Sequence, residues 1–350
     1  MNRIVEPGNS LDPSSSASLP QAVVRVSVQP ALLAGSAGTR RWPSACERGS
    51  RQPTGLTSEE SLLEATLDRL DDAFVVAAHN MSPTHPLATA APLVVCCEAL
   101  RSQAFERHVP RLVVQPNSRN SAPALTVAAL AARAAAACGD DPIIVALPAE
   151  HLIADHAAFG IALAEAFTHA AHGAIVAFGV PPARAATAYG YLRTGTALGT
   201  RGARAIVRFV DKPDAELAER YVACGQYWWN SGIFVVRASV WLSTIALCRP
   251  VIAAACADAF RDAPQDSDGA LRLARDAFAS CPSDSIDDAL MERIATDARV
   301  AGVTVPLLAG WSDASERNAG WGPFIRHGAL NLADLGVAFE GAGVIAPASS

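Results

Sequence analysis

Apolar residues fall into short unbroken runs set between longer stretches with helical spacing, and this alternation predicts strands and helices in turn. Runs over 22–33, 93–97, 112–115, 142–147 and 174–180 read as buried strands. Leu62, Leu63, Thr66, Leu67 and Leu70, behind acidic Glu59 and Glu60, predict an amphipathic helix over 61–70. A second helix is expected over 101–108. The alanine-rich stretch 122–138 predicts another, stopped by Gly139-Asp140-Asp141-Pro142, and Asp155 caps one that runs to His172. Strands alternating with helices require parallel crossovers, so the expected class is α/β, a doubly wound sheet with its ligand crevice at the carboxyl ends of the strands.

Beyond Pro181 the rhythm becomes mixed. A loop through Tyr189 precedes an expected strand over 206–210, a helix over 214–224 and a strand over 233–237. Helices follow over 240–248, 251–261, 271–279 and 287–296, and a last strand over 300–307. No internal repeat and no Pro/Gly/Ser linker divides the chain, so one large domain over 22–315 is expected. It lies between a disordered extension over 1–21, marked by Pro7, Pro13, Ser14 to Ser16 and Pro20, and a divergent tail over 316–350.

Composition narrows the function classes. The 350 residues are half hydrophobic, enough for a large core, and the net charge of −6 argues against nucleic acid or a membrane surface as partner. No secretory signal and no run of about 18 apolar residues is present. The eight cysteines show no CxxC spacing, which fits a reduced, cytoplasmic compartment. Cys96 and Cys97 read as small buried strand residues. His169 and His172 share a helix face with no acidic third ligand expected and read as solvated histidines.

The candidate chemistry begins after the first strand. Gly35, Ser36, Ala37, Gly38 and Thr39 form a glycine-punctuated turn whose N–H groups can approach phosphate oxygens, and Arg40 and Arg41 add charged donors. On pattern alone, a plain structural turn is an equal alternative.

The order Gly35-Ser-Ala-Gly-Thr-Arg-Arg-Trp-Pro43 resembles the GGSGTRLWP signature of the sugar-nucleotide pyrophosphorylases, in particular bacterial mannose-1-phosphate guanylyltransferases. Later segments extend the resemblance from Val24 to Asp313. It implies a Rossmann-like mixed sheet of the nucleotidyltransferase, glycosyltransferase-A-like type. The implied activity is transfer of GMP from GTP to mannose 1-phosphate, with Mg²⁺ as cofactor and GTP and mannose 1-phosphate as partners. Gly35, Gly38, Thr39 and Arg40 match the triphosphate cradle. Arg51 stands where the family's PKQF segment has lysine. Pro116 to Pro123 resembles EPxGRNTAP, which implies that Arg119 and Asn120 lie along the nucleotide.

The remaining matches concern metal and sugar. Leu147-Pro-Ala-Glu-His151 resembles LPADH, with Glu150 for the acid that holds magnesium, and Gly310-Trp-Ser-Asp313 matches GWSD, whose Asp313 is the second carboxylate. Thr187 to Leu192 resembles TGYGYI, with Ala188 for glycine and Gly190 against the hexose. Phe209 to Pro213 resembles FVEKP, implying Asp211 for sugar hydroxyls and Lys212 for the phosphate. Trp229 to Phe234 matches WNSGIF without change and implies Asn230 on a hydroxyl or orienting Lys212. Ser285 to Glu292 resembles SIDYAVME with Asp288 for tyrosine, where Ser285 and Asp287 read equally as helix caps or ligand contacts.

Arg40, Arg51 and Lys212 are therefore the implied catalytic cations. Two further readings stay open. One is a pyrophosphorylase for another nucleotide or sugar. The other is a degenerate paralogue, suggested by Ser36, Ala37, Arg51, Glu150, Ala188, Asp211 and Asp288, that binds sugar nucleotide or a partner subunit without turnover. A homo-oligomer is compatible with either. The family often carries a C-terminal phosphomannose isomerase half, which is not expected within these 350 residues.

Overall fold

One strand running against its neighbours organises the sheet. The computed structural model describes residues 25–34, 62–101, 111–267, 269–294, 297 and 299–313. In chain order these form β1 (Val26–Leu33), α1 (Leu62–Asn80), β2 (Leu87–Thr89), β3 (Leu93–Cys97), β4 (Arg111–Gln115), α2 (Ser121–Ala135), β5 (Ile143–Pro148), β6 (His151–Ile153), α3 (His156–Ala171) and β7 (Ile175–Val180). They continue with β8 (Tyr191–Ala197), β9 (Arg204–Val210), α4 (Ala215–Cys224), β10 (Tyr227–Arg237), α5 (Ala238–Cys248), α6 (Pro250–Arg261), β11 (Leu271–Arg272), α7 (Arg275–Ala279), β12 (Gly302–Pro306) and β13 (Trp311–Asp313).

The main sheet has the order β11-β4-β3-β1-β5-β10-β7-β12-β9-β8, with β2 beside β1. β4, β3, β1 and β5 are parallel, and so are β7 and β12, but β10 lies antiparallel between β5 and β7. The sheet is mixed and doubly wound. The five apolar runs form strands buried on both faces, which is why their composition shows no alternation. Their side chains nonetheless alternate. Ile144 and Ala146 of β5 join the core under α2, α5 and α6, while Ile143, Val145 and Leu147 join the core under α1 and α3.

Several boundaries differ from expectation. α1 continues to Asn80 because Ala73, Phe74 and Ala77 prolong its buried stripe past Asp71 and Asp72. The stretch 271–279 is divided, since Leu271 and Arg272 pair with β4 and the helix starts only at Arg275. The helix expected over 287–296 opens as a π-helical turn, Asp287–Met291. The strand expected at 233 begins at Tyr227, and β2, β6, β8 and β13 are additional to the sequence reading. Beyond Arg101 the helix expected over 101–108 lies outside the described residues, as do the 1–21 extension and the 316–350 tail.

His169 does have an acidic neighbour, because one helical turn back Glu165 places Oε1 3.2 Å from its Nε2. No group of three or more His, Cys, Asp or Glu side chains able to hold a metal occurs among the described residues, here or elsewhere. Cys96 is fully buried, and burial first, then Cys97 and Glu98, push its thiol up to about 12, which makes it inert. Among the described residues no helix is long and apolar enough to cross a membrane.

α1 and α3 approach closely at Gly160, and Phe74 stacks on Phe167 with centroids 6.1 Å apart. A Cβ on Gly160 would lie 2.5 Å from the Ala73 carbonyl oxygen and 2.6 Å from Val76 Cβ. Gly160→Ala is therefore expected to destabilise the fold by about 1–3 kcal/mol through helix displacement, despite alanine's better helix propensity. A urea midpoint at or above wild type would contradict this contact.

Candidate active site

The end of β5 runs through Pro148 and Ala149 to Glu150, and the chain then turns into the short β6. β13 pairs antiparallel with β6 in a ribbon of its own, with Asp313 opposite His151, Ser312 opposite Leu152 and Trp311 opposite Ile153. Residues directly opposite in such a ladder lie about 4.5–5.5 Å apart at Cα, so Asp313 stands opposite His151, which directly follows Glu150, although Glu150 and Asp313 are 163 positions apart in sequence. Glu150 is 8% exposed and Asp313 half-buried.

His151 is buried between them and the protein body. Burial holds its imidazole down to about 4 against the pull of the Asp313 carboxylate, with Arg69 reinforcing the shift. Arg69, itself buried on α1, donates from Nη1 to the His151 carbonyl at 2.9 Å. Sequence reading passed over Arg69, because the heptad-like pattern around it gives no sign that its charged end is buried. A charge amid the leucines of 61–70 was the available signal.

A row of rings connects this carboxylate pair to the second half of the site. His151 meets Trp311 edge-on at 5.3 Å, Trp311 meets Tyr189 at 5.4 Å and Tyr189 meets Trp229 at 5.2 Å between centroids. Arg184 lies over Tyr189 and Trp229, with its guanidinium carbon 6.0 and 5.6 Å from the ring centres.

Asn230 follows Trp229, which pairs at once with Tyr191 of β8 and Val180 of β7. It pairs with Gly179, and after a register shift Phe234 pairs with Ala177. Four steps on β10 thus face two on β7, so Ser231, Gly232 and Ile233 bulge. Gly232 takes φ +76°, and its α-carbon faces Pro148 and His151. The unchanged WNSGIF segment is this bulge, which lays Asn230 beside the end of β5.

Gly190 is fixed by packing. A Cβ there would fall 2.6 Å from the Phe209 ring, and its carbonyl accepts the Asn230 N–H at 2.7 Å. At the end of β9, Lys212 Nζ lies 3.1 Å from Asp211 Oδ2. Lys212 has φ +39° and Asn120 φ +70°, the two positive-φ residues other than glycine among the described residues. Backbone strain of this kind costs about 1–3 kcal/mol and gathers at functional sites.

Asn120 is the N-cap of α2, its Oδ1 accepting the Ser121 N–H at 2.8 Å. Arg119 reaches away from it, donating from Nη2 to the Ala279 carbonyl at 2.9 Å. The same segment is stitched to residues 284–286, since Asp284 N–H donates to Arg119 O, Ala122 N–H to Asp284 O and Ile286 N–H to Ser121 Oγ at 2.9–3.2 Å. Ser285 caps Asp288, whose N–H donates to its Oγ at 2.9 Å. Asp287 instead accepts from Asn230 Nδ2 at 2.7 Å. Ser285 thus acts as a cap, and Asp287 is a hydrogen-bond partner of Asn230.

The structure therefore brings Asp313 opposite His151, the residue after Glu150, and gathers Gly190, Asp211, Lys212 and Asn230 with Asp287. Gly35, Gly38, Thr39, Arg40 and Arg51 lie outside the described residues; β1 leads to them, and Ala34 N–H donates to the Val95 carbonyl at 2.8 Å at the carboxyl edge. The family model for nucleotidyl transferase matches residues 29–316, from within β1 to beyond β13. The chain belongs to the nucleotidyl transferase family. It is 42% identical over 292 residues to the xanthan biosynthesis protein XanB of Xanthomonas campestris pv. campestris, covering 82% of this chain and 57% of that one. It is 36% identical over 302 residues to mannose-1-phosphate guanylyltransferase RfbM of Salmonella typhimurium, covering 85% and 58%. Its fold matches the mannose-1-phosphate geranyltransferase of Thermus thermophilus with a TM-score of 0.65 at 26% identity, covering 83% and 77%. The chain thus spans somewhat over half the length of the first two relatives.

In this nucleotidyl transferase domain, Glu150 in the turn between β5 and β6 and Asp313 in β13 carry hard carboxylate oxygens, the donor type suited to Mg²⁺, which takes one or two protein carboxylates with phosphate and water. His151 supplies a pH signature at the same place. With a free value near 6.5 and a folded value of about 4, the unfolded chain binds the extra proton between those limits, so stability is unaffected above pH 6.5 and falls as pH drops towards 4. The loss reaches up to about 3 kcal/mol. His151→Gln should flatten the dependence of the urea midpoint between pH 6.5 and 4, and an unchanged slope would remove His151 as its source.

Proposed function

We propose that this chain transfers GMP from GTP to mannose 1-phosphate, giving GDP-mannose and pyrophosphate. The observation that supports the reading is the register of β13 on β6, which sets Asp313 opposite His151, the residue after Glu150, just beyond the end of β5. Two carboxylates there answer the need of nucleotidyl transfer for charge neutralisation next to the reacting phosphorus. A magnesium ion held by Glu150 and Asp313 would polarise the phosphate oxygens of the bound triphosphate.

The chain's own groups have the remaining tasks. Asn230 and Asp211 bind sugar hydroxyls, and Lys212 exchanges the Asp211 carboxylate for the sugar phosphate, drawing its oxygen towards the α-phosphorus. The bond from the sugar-phosphate oxygen to phosphorus forms as the bond to pyrophosphate breaks on the opposite side. Arg40 and Arg51 are assigned to the triphosphate from the sequence. Mannose and guanine as the specific pair rest on likeness to the Salmonella guanylyltransferase, whereas the likeness to XanB supports sugar-nucleotide supply to polysaccharide synthesis in general.

Pyrophosphate release from GTP and mannose 1-phosphate with Mg²⁺ tests this, with ATP, UTP and glucose 1-phosphate as competitors for the role. Glu150→Gln and Asp313→Asn should each lower kcat by roughly 10²–10³-fold, the usual cost of losing one electrostatic stabiliser at the reacting centre, whereas Glu150→Asp should retain turnover. A silent wild type that gains turnover as Arg51→Lys/Glu150→Asp would instead identify a degenerate paralogue.

A further inference from the structure

The transfer described above uses Asn230, Asp211 and Lys212 but leaves aside the carboxyl that stands among them. Asp287 opens the π-helical turn, a distortion that recurs at functional sites. Its Oδ1 takes one N–H of the Asn230 amide at 2.7 Å, while the amide oxygen of Asn230 accepts the Gly232 N–H at 3.2 Å. An amide held at both ends presents its second N–H in one direction only. Without Asp287 the side chain loses the partner that fixes which end is the donor.

The charges around Asp287 make the same carboxyl responsive. Asp211 and Lys212 face it from the end of β9, and Asp288 is its neighbour in the turn. On the far side, Arg249 is committed to the Asp284 carboxylate at 2.7 Å and to the Asp288 carbonyl at 2.6 Å. α5, which packs on the turn, brings Trp241 and Ile245 to the apolar core shared with Leu290 and Met291. Burial, then Asp211, push the Asp287 carboxyl up to about 7; Lys212 and the hydrogen bond from Asn230 oppose them.

We propose that Asp287 is the positioning residue of the sugar-phosphate subsite, and that it takes up a proton from solvent as an anionic sugar phosphate binds. The occupant draws Lys212 away from Asp211 and adds negative charge of its own, so the groups that favour an ionised Asp287 weaken while those that oppose it grow. The neutral carboxyl keeps a carbonyl oxygen for Asn230 and gains an O–H donor, and the amide stays oriented. Linkage is reciprocal, so sugar-phosphate affinity should fall as pH rises above 7. This inference rests on the sugar-1-phosphate reading of the site.

Calorimetric titration of the full chain with mannose 1-phosphate at pH 7.5, in two buffers of different ionisation enthalpy, measures the proton directly. Wild type is expected to take up about half a proton per ligand, as befits a group titrating near neutrality, and Asp287→Asn none. Asp287→Ala should raise KM for the sugar phosphate roughly tenfold with a smaller change in kcat, the usual cost of releasing one charge-assisted hydrogen bond. Asp287→Asn, which keeps an acceptor for Asn230, should recover most of that KM. Equal proton uptake by wild type and Asp287→Asn overturns the inference while leaving the transferase reading intact. A wild type that binds no mannose 1-phosphate overturns both.

Discussion

β10 runs against both of its neighbours, and the placement of the site depends on that reversal. A parallel strand between β5 and β7 would present its carboxyl end at the crevice. The antiparallel one presents its beginning, so Asn230 and the Ser231–Ile233 bulge arrive where β5 ends in Glu150. The same strand joins the sheet's halves, since β1, β3, β4 and β5 lie on one side and β7, β12, β9 and β8 on the other. One strand therefore serves cohesion and site geometry, and a bulge is the local adjustment that lets it do both.

The site is built from two rigid halves with mobile charge between them. On one side, the β6–β13 ribbon sets Asp313 opposite a buried, neutral His151, which adds a polar surface without a competing positive charge. On the other, Lys212 sits at a strained backbone position with its ammonium on Asp211, a half-exposed pair that costs little to open when a phosphate competes. The rings of Trp311, Tyr189 and Trp229 fill the space between and keep the halves at a fixed separation.

Around Arg119 and Asn120 the protein binds itself. The 116–123 stretch and the 284–288 loop are joined by backbone hydrogen bonds and by Ser121 Oγ, and Arg249 locks the loop from behind. Asn120 spends its side-chain oxygen on the α2 cap and Arg119 a guanidinium N–H on Ala279. Their structural duties coexist with the nucleotide role assigned by resemblance, and they explain why a polar turn needs such particular side chains.

The sequence by itself determined the strands of the parallel half, the Asp155 cap and the alternation that makes a doubly wound fold. These are local matters, decided by periodicity, capping and unbroken apolar runs. It did not determine the direction of β10, the β6–β13 ribbon or the split of 271–279, because two- and three-residue strands acquire their hydrogen bonds only from a distant partner. Nor could it separate Asp287 from Ser285 as ligand-side group and cap, since both follow the same helix-start pattern. Only the tertiary structure decided that, by placing Asn230 within hydrogen-bonding distance of one of them and setting its carboxyl beside the charges of Asp211 and Lys212 from a distant strand end.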